Sequence, residues 1–96
     1  MIRLSVVIPC YNEAENVTEL HRQLSETLED LKLTAELVFV DDGSGDATLD
    51  RLRALAGEDK RVQVLSLSRN FGHQAALSAG LDHACGQAVV VMDADL

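Results

Sequence analysis

Ninety-six residues suffice for one small domain, and 47% hydrophobic content with only three aromatics gives it a core of Val, Leu, Ile and Ala, which excludes a disordered chain. Sixteen Asp and Glu against eight Lys and Arg, a net charge of −8, exclude nucleic acid as a partner, because phosphate backbones are bound by clustered cations. An acidic protein still binds a phosphorylated small molecule when a metal ion supplies the positive charge.

The first apolar run of strand character is Leu4 to Ile8. Asn12 followed by Glu15 reads as a capping box opening a helix, in which Val17, Leu20, Leu24, Leu28 and Leu31 recur at three- and four-residue steps. Leu37 to Val40 is the second strand. A second helix is expected to begin near Asp46, carrying Leu49, Leu52 and Leu55 or Ala56, with Gly57 as its stop. Val62 to Leu67 is the third strand. A third helix over His73 to Cys85 has a face of Ala75, Ala76, Ala79, Gly80 and Ala84, small enough to pack closely on a sheet, and Gly86 reads as its left-handed cap. Ala88 to Met92 closes the series. The runs are mostly continuous, as strands covered on both faces should be.

This β-α-β-α-β-α-β order implies right-handed crossovers and a doubly wound α/β fold with a mostly parallel sheet. So short a sheet leaves open edges, which invite pairing with a second copy or with further chain. Cys10 and Cys85 have neither metal-site spacing nor disulfide density, so they are expected to be reduced thiols of a cytoplasmic protein. The N-terminus is too quickly broken for a signal peptide, and no stretch approaches the ~20 apolar residues of a membrane span. Attachment to the inner face of a membrane would have to come from chain beyond residue 96.

Polar clusters fall at three strand ends: Pro9-Cys10-Tyr11-Asn12-Glu13, Asp41-Asp42-Gly43-Ser44-Gly45 and Asp93-Ala94-Asp95. Ligands of open parallel sheets bind at such carboxyl ends. Asp93 and Asp95, spaced i and i+2, project to one side of an extended segment and together could hold a divalent cation. Taken singly, each cluster has an ordinary structural explanation: Asn12, Ser44 or Asp46 as helix caps, and Asp42-Gly43 as a turn pair. Three acidic clusters on one rim, however, repel one another unless a cation or ligand compensates them. Neither Gly-x-Gly-x-x-Gly nor Gly-Lys-Ser/Thr occurs, so a nucleotide would be held by side chains and metal. Only one of the adjacent Asp41 and Asp42 should reach it. Tyr11 offers either a ring for stacking or a buried structural residue. His21 and His83 read as solvated helix positions and His73 as an early helix residue, with no His-based metal site.

Val6-Val7-Ile8-Pro9-Cys10-Tyr11-Asn12-Glu13, Val40-Asp41-Asp42-Gly43-Ser44, Arg69-Asn70-Phe71-Gly72 and Met92-Asp93-Ala94-Asp95-Leu96 together resemble the family 2 glycosyltransferases, in the family's order and spacing over essentially the whole chain. Arg69 to Leu77 is most similar to the polyprenyl-phosphate branch, which includes the dolichyl-phosphate mannose synthases and bactoprenol glucosyltransferases. The resemblance implies that residues 1–96 form the nucleotide-sugar-binding half of a GT-A domain. Pro9, Tyr11 and Glu13 would line the nucleotide pocket and Asp42 would contact the base. Asp93 and Ala94 would lie against ribose and diphosphate, and Asp95, with Asp93 beside it, would hold Mg²⁺ or Mn²⁺. The donor would be a UDP- or GDP-linked sugar and the acceptor a polyprenyl phosphate. Arg69 matches a motif position and could simply pair with a surface carboxylate. Family members continue past the Asp-x-Asp element into an acceptor half, so the chain is expected to be a fragment with little transferase activity alone. Two alternatives are a non-catalytic nucleotide-binding or dimerising module, and a phosphoacceptor receiver domain in which Asp41-Asp42 is the acidic pair and Asp93 the phosphorylated residue.

Overall fold

A computed structural model describes residues 1–95; Leu96, the last residue of the fourth motif, lies outside them. The elements follow in the order β1 (Leu4–Cys10), α1 (Val17–Leu31), β2 (Ala35–Asp41), α2 (Thr48–Glu58), β3 (Val62–Ser66), α3 (His73–His83) and β4 (Ala88–Val91). All strand pairs are parallel, in the spatial order β3-β2-β1-β4. The winding runs outward through β2 and β3, then returns to the far side of β1. Its switch point therefore lies between the carboxyl ends of β1 and β4.

Strand alternation sorts the core into two layers. Val6 and Ile8 of β1 and Leu37 and Phe39 of β2 pack against Val17, Leu20 and Leu28 of α1 and Leu52 and Leu55 of α2. Val7, Val38 and Val40 face the other way, onto Ala76 of α3. Phe39 is the largest fully buried side chain, and truncating it to alanine would cost about 3–5 kcal/mol. The small-residue face of α3 has a steric reason: a Cβ on Gly80 would come within 2.4 Å of Val7 Cγ1 and hold the helix off the sheet. The doubly wound α/β class is therefore as expected.

Several local expectations fail. α1 starts at Val17 rather than just after Asn12, which sits at φ +54° and is occupied elsewhere: its Oδ1 accepts the Gly45 N–H (2.8 Å) and its N–H donates to Ser44 Oγ (2.9 Å). α2 runs through Gly57 to Glu58. Gly86 is not left-handed; it is small because a Cβ there would lie 2.6 Å from Ser5 Oγ. His21 is not solvated, since its Nε2 meets Asp59 Oδ2 at 2.8 Å with both side chains mostly buried. β4 is not covered on both faces: Val89, Val90 and Val91 are 43%, 46% and 43% exposed, because the three helices lie over the other strands and β4 is an edge. Among the described residues, no helix is long and apolar enough to cross a membrane.

Candidate functional site

Two adjoining clefts open at the switch point. One, of about 260 Å³, is lined by Pro9, Cys10 and Tyr11 from the end of β1, Asp42 after β2, and Asn70, Gly72, His73 and Ala76 at the start of α3. The other, of about 270 Å³, is bounded by Pro9, Tyr11, Glu13 and His73 together with Asp93, Ala94 and Asp95. All seven residues singled out for the site thus line one cleft or the other, and Pro9, Tyr11 and His73 are common to both.

Each wall has a local cause. Asp42 is buried, and its carboxylate accepts the N–H groups of Phe71 (2.9 Å) and Gly72 (3.2 Å), so it clamps the loop before α3. The neighbouring Gly43 adopts φ +69°, and a Cβ there would be 2.2 Å from the Arg69 carbonyl carbon. Asp42-Gly43 is therefore more than a turn pair: glycine is required for the loop to sit on the carboxylate. Asp41 is also buried but lines neither cleft, and its Oδ1 has no hydrogen-bond partner among the described residues. Beside it, burial first, then the charges of Asp41 and Glu13, push the Cys10 thiol up to about 12, so it is a protonated, unreactive wall residue. Both cysteines are free thiols.

Tyr11 is 48% exposed, which removes the buried-tyrosine alternative and leaves its ring available for stacking. Glu13 is partly structural: its N–H donates to Thr48 Oγ1 (2.9 Å) and its Oε2 accepts from Asn16 Nδ2 (2.8 Å). Thr48 in turn donates to Asp46, whose other oxygen accepts the Ala14 N–H, and the Thr48 hydrogen bond leads the effects that lower the Asp46 pKa. Asn12, Ser44, Asp46 and Thr48 thereby stitch the β1–α1 loop to the β2–α2 loop. Ala94 is buried among the α1–α2 core residues while Asp93 and Asp95 are exposed. Among the described residues no group of three His, Cys, Asp or Glu is placed to hold a metal by itself. Two carboxylates on a rim suit instead a hard cation that keeps water and takes phosphate oxygens as its remaining ligands.

Two further residues depart from expectation. Arg69 pairs with no carboxylate among the described residues; its guanidinium stacks 4.7 Å from the centre of the Phe71 ring. Among the described residues His73 is the one basic side chain lining the clefts, and only its position directly after Gly72 at the head of α3 hinted at this.

Residues 5–96 match the sequence profile of glycosyl transferase family 2. The chain belongs to that family. An uncharacterized glycosyltransferase of Synechocystis sp. is 48% identical over 95 residues, which are 99% of this chain and 30% of that protein. The bactoprenol glucosyl transferase of Shigella phage SfV is 44% identical, with 99% and 31% covered. Among solved structures, a mannosyltransferase from Pyrobaculum calidifontis in complex with GDP-Man and Mn²⁺ superposes with a TM-score of 0.84 at 32% identity, covering 97% of this chain and 27% of that one. The chain spans about three-tenths of the length of these curated relatives. For this family 2 glycosyltransferase the fold is the α/β arrangement of GT-A enzymes. The receiver-domain alternative falls, because it made the first strand an appendage, whereas β1 is an inner strand paired on both sides.

Proposed function

We propose that residues 1–96 bind the donor of a glycosyltransferase that moves a sugar from a UDP- or GDP-linked donor to a polyprenyl phosphate. The observation that carries this is the meeting of two clefts across Pro9, Tyr11 and His73, one walled by Asp42 and the other rimmed by Asp93 and Asp95. The base occupies the Asp42 cleft, where Tyr11 offers a ring face and Asp42 retains lone pairs for a base N–H. The sugar diphosphate lies in the second cleft. His73 faces the phosphates there, at the positive end of α3.

Asp95 and Asp93 hold the cation. Mg²⁺ or Mn²⁺, when bound, acts as a Lewis acid toward the charge that develops on the departing nucleoside diphosphate. Without such a cation the acidic rim of Glu13, Asp93 and Asp95 would repel the donor. A polyprenyl phosphate is already anionic, so its attack on the anomeric carbon needs no strong general base from these residues. Support comes from the name of the phage relative, a bactoprenol glucosyl transferase, and from the neighbour solved with GDP-Man and Mn²⁺.

Mn²⁺ line broadening in the amide spectrum of the chain tests the site. Signals of Tyr11, His73 and Asp93 to Asp95 should broaden only when UDP or GDP is also present. Broadening centred on other carboxylates would refute the assignment. A dimerising module is the second reading, favoured by the exposed Val89–Val91 edge; sedimentation that gives a monomer at high concentration removes it.

A further inference from the structure

At the amino end of the sheet, opposite the clefts, β1, β2 and the turn before β4 share a buried polar cluster. Ser5 of β1 lies on one rung with Glu36 of β2 and Val89 of β4. Glu36 is 2% exposed and Ser5 is fully buried. The Ser5 hydroxyl donates to Glu36 Oε2, which also accepts the Cys85 N–H at 2.7 Å, and Ser5 Oγ accepts the Gly86 N–H at 2.8 Å. Burial opposes ionisation of Glu36, but the Cys85 N–H and the Ser5 hydroxyl outweigh it and hold the carboxyl below its usual range.

Both accepted N–H groups belong to the turn that feeds β4. That strand needs such an anchor. Its own four residues are all exposed, so up to the core-packed Met92 and Ala94 beyond it apolar burial does little to fix its register. The cost of a slip would be felt at the other end. A shift of one residue reverses every side chain, which would drive an aspartate into the α1–α2 core position of Ala94 and turn the outer carboxylates away from the cleft.

We propose that Ser5 and Glu36 are positioning residues for Asp93 and Asp95: by gripping the turn at Cys85 and Gly86 they set the register of β4. The consequence for binding rests on the donor-site reading above; the consequence for β4 does not.

Two variants break the grip differently. Ser5→Ala removes the hydroxyl, and Gly86→Ala keeps both polar side chains but places a Cβ 2.6 Å from Ser5 Oγ, 2.7 Å from the Ser5 nitrogen and 2.9 Å from the Leu4 carbonyl carbon, pushing the turn off β1 by sterics. Glu36→Gln keeps an acceptor oxygen for both donors and serves as the conservative control. Hydrogen exchange should accelerate roughly tenfold or more at Ala88 and Met92, whose N–H groups donate to the carbonyls of Arg3, just before β1, and Val7 of β1, in both disruptive variants. Exchange at Leu37 in β2 and at Asp42 just after it, whose N–H groups donate to Arg61 and Cys10, should be unchanged. Mn²⁺-dependent affinity for UDP and GDP should fall about tenfold in both, and within about twofold in Glu36→Gln. Uniform acceleration across the sheet, or faster β4 exchange with unaltered Mn²⁺-dependent affinity, would overturn the positioning role. If the unaltered chain binds neither nucleotide, the donor-site reading fails instead, and the exchange pattern alone decides whether Ser5 and Glu36 set the register.

Discussion

Replacing Gly43 by alanine should unseat the loop that walls the Asp42 cleft. The new methyl would start 2.2 Å from the Arg69 carbonyl carbon and 2.3 Å from the Asn70 nitrogen, both backbone atoms that cannot rotate away. Holding a non-glycine residue at φ +69° costs about 1 kcal/mol. Pushing the loop outward breaks at least one of the two N–H bonds to the Asp42 carboxylate, each worth about 1.5–3 kcal/mol. The sum is a loss of about 2.5–4 kcal/mol. With a urea slope of about 1 kcal/mol per molar for so small a domain, the unfolding midpoint should fall by at least ~2 M. Nucleotide affinity should fall with it, because Asn70, Gly72 and His73 all reach the cleft from that loop and the start of α3. Gly57→Ala is the matched control: nothing lies within 4 Å of its Cβ position, it is helical, and it should stabilise by about 0.5–1 kcal/mol. A Gly43→Ala midpoint close to that of the unaltered chain would refute the loop seating.

His73→Ala should weaken binding of UDP or GDP about tenfold while His73→Lys restores most of it, as measured by fluorescence competition; equal loss in both would show that shape rather than charge matters at this position. The Cys10 pKa is raised from 9.0 to about 12, so the folded chain stays protonated where the unfolded chain ionises. Its contribution to stability is complete below pH ~9 and is lost as pH rises toward ~12, a decline that Cys10→Ala should flatten in urea titrations. The Asp59 carboxyl is lowered chiefly by hydrogen bonds from Arg61, against the opposing effect of burial. Its contribution is therefore present above the ordinary carboxylate range and lost on acidification, and Asp59→Asn should reduce the acid sensitivity of unfolding.

Periodicity carried the fold because it reports burial directly. Leu20 and Leu28 at helical spacing and Val6, Val7 and Ile8 in a continuous run each had one place to go. Strand ends were legible for the same reason, since the Asp41-Asp42 pair and the Asp93-Ala94-Asp95 element each begin where an apolar run stops. Capping was not legible. Asp46 does act locally, its Oδ1 accepting the Thr48 N–H (2.9 Å) at the head of α2, but the bonds of Asn12 and Ser44, and that of Asp46 Oδ2 to Ala14, cross between two loops about thirty residues apart in sequence, and local spacing carries no trace of that. Gly86 shows a similar ambiguity: a left-handed cap and a close approach to Ser5 both demand glycine. Glu36 lies outside the apolar run Leu37 to Val40, and its partners Ser5 and Cys85 are 31 and 49 residues away, so no local pattern marks it. The exposure of β4 was hidden because an apolar edge strand and a buried one read alike.

The central claim is that Asp93 and Asp95 hold a divalent cation that joins the chain to a nucleoside-diphosphate sugar. Calorimetric titration of UDP- and GDP-sugars into the chain, with and without Mn²⁺, tests it most directly when Asp95→Ala is run alongside. Heat of binding should appear for at least one donor, require Mn²⁺, and disappear in Asp95→Ala with the unfolding midpoint unchanged. Metal-dependent binding of equal strength in Asp95→Ala, or no binding of either donor, would contradict it.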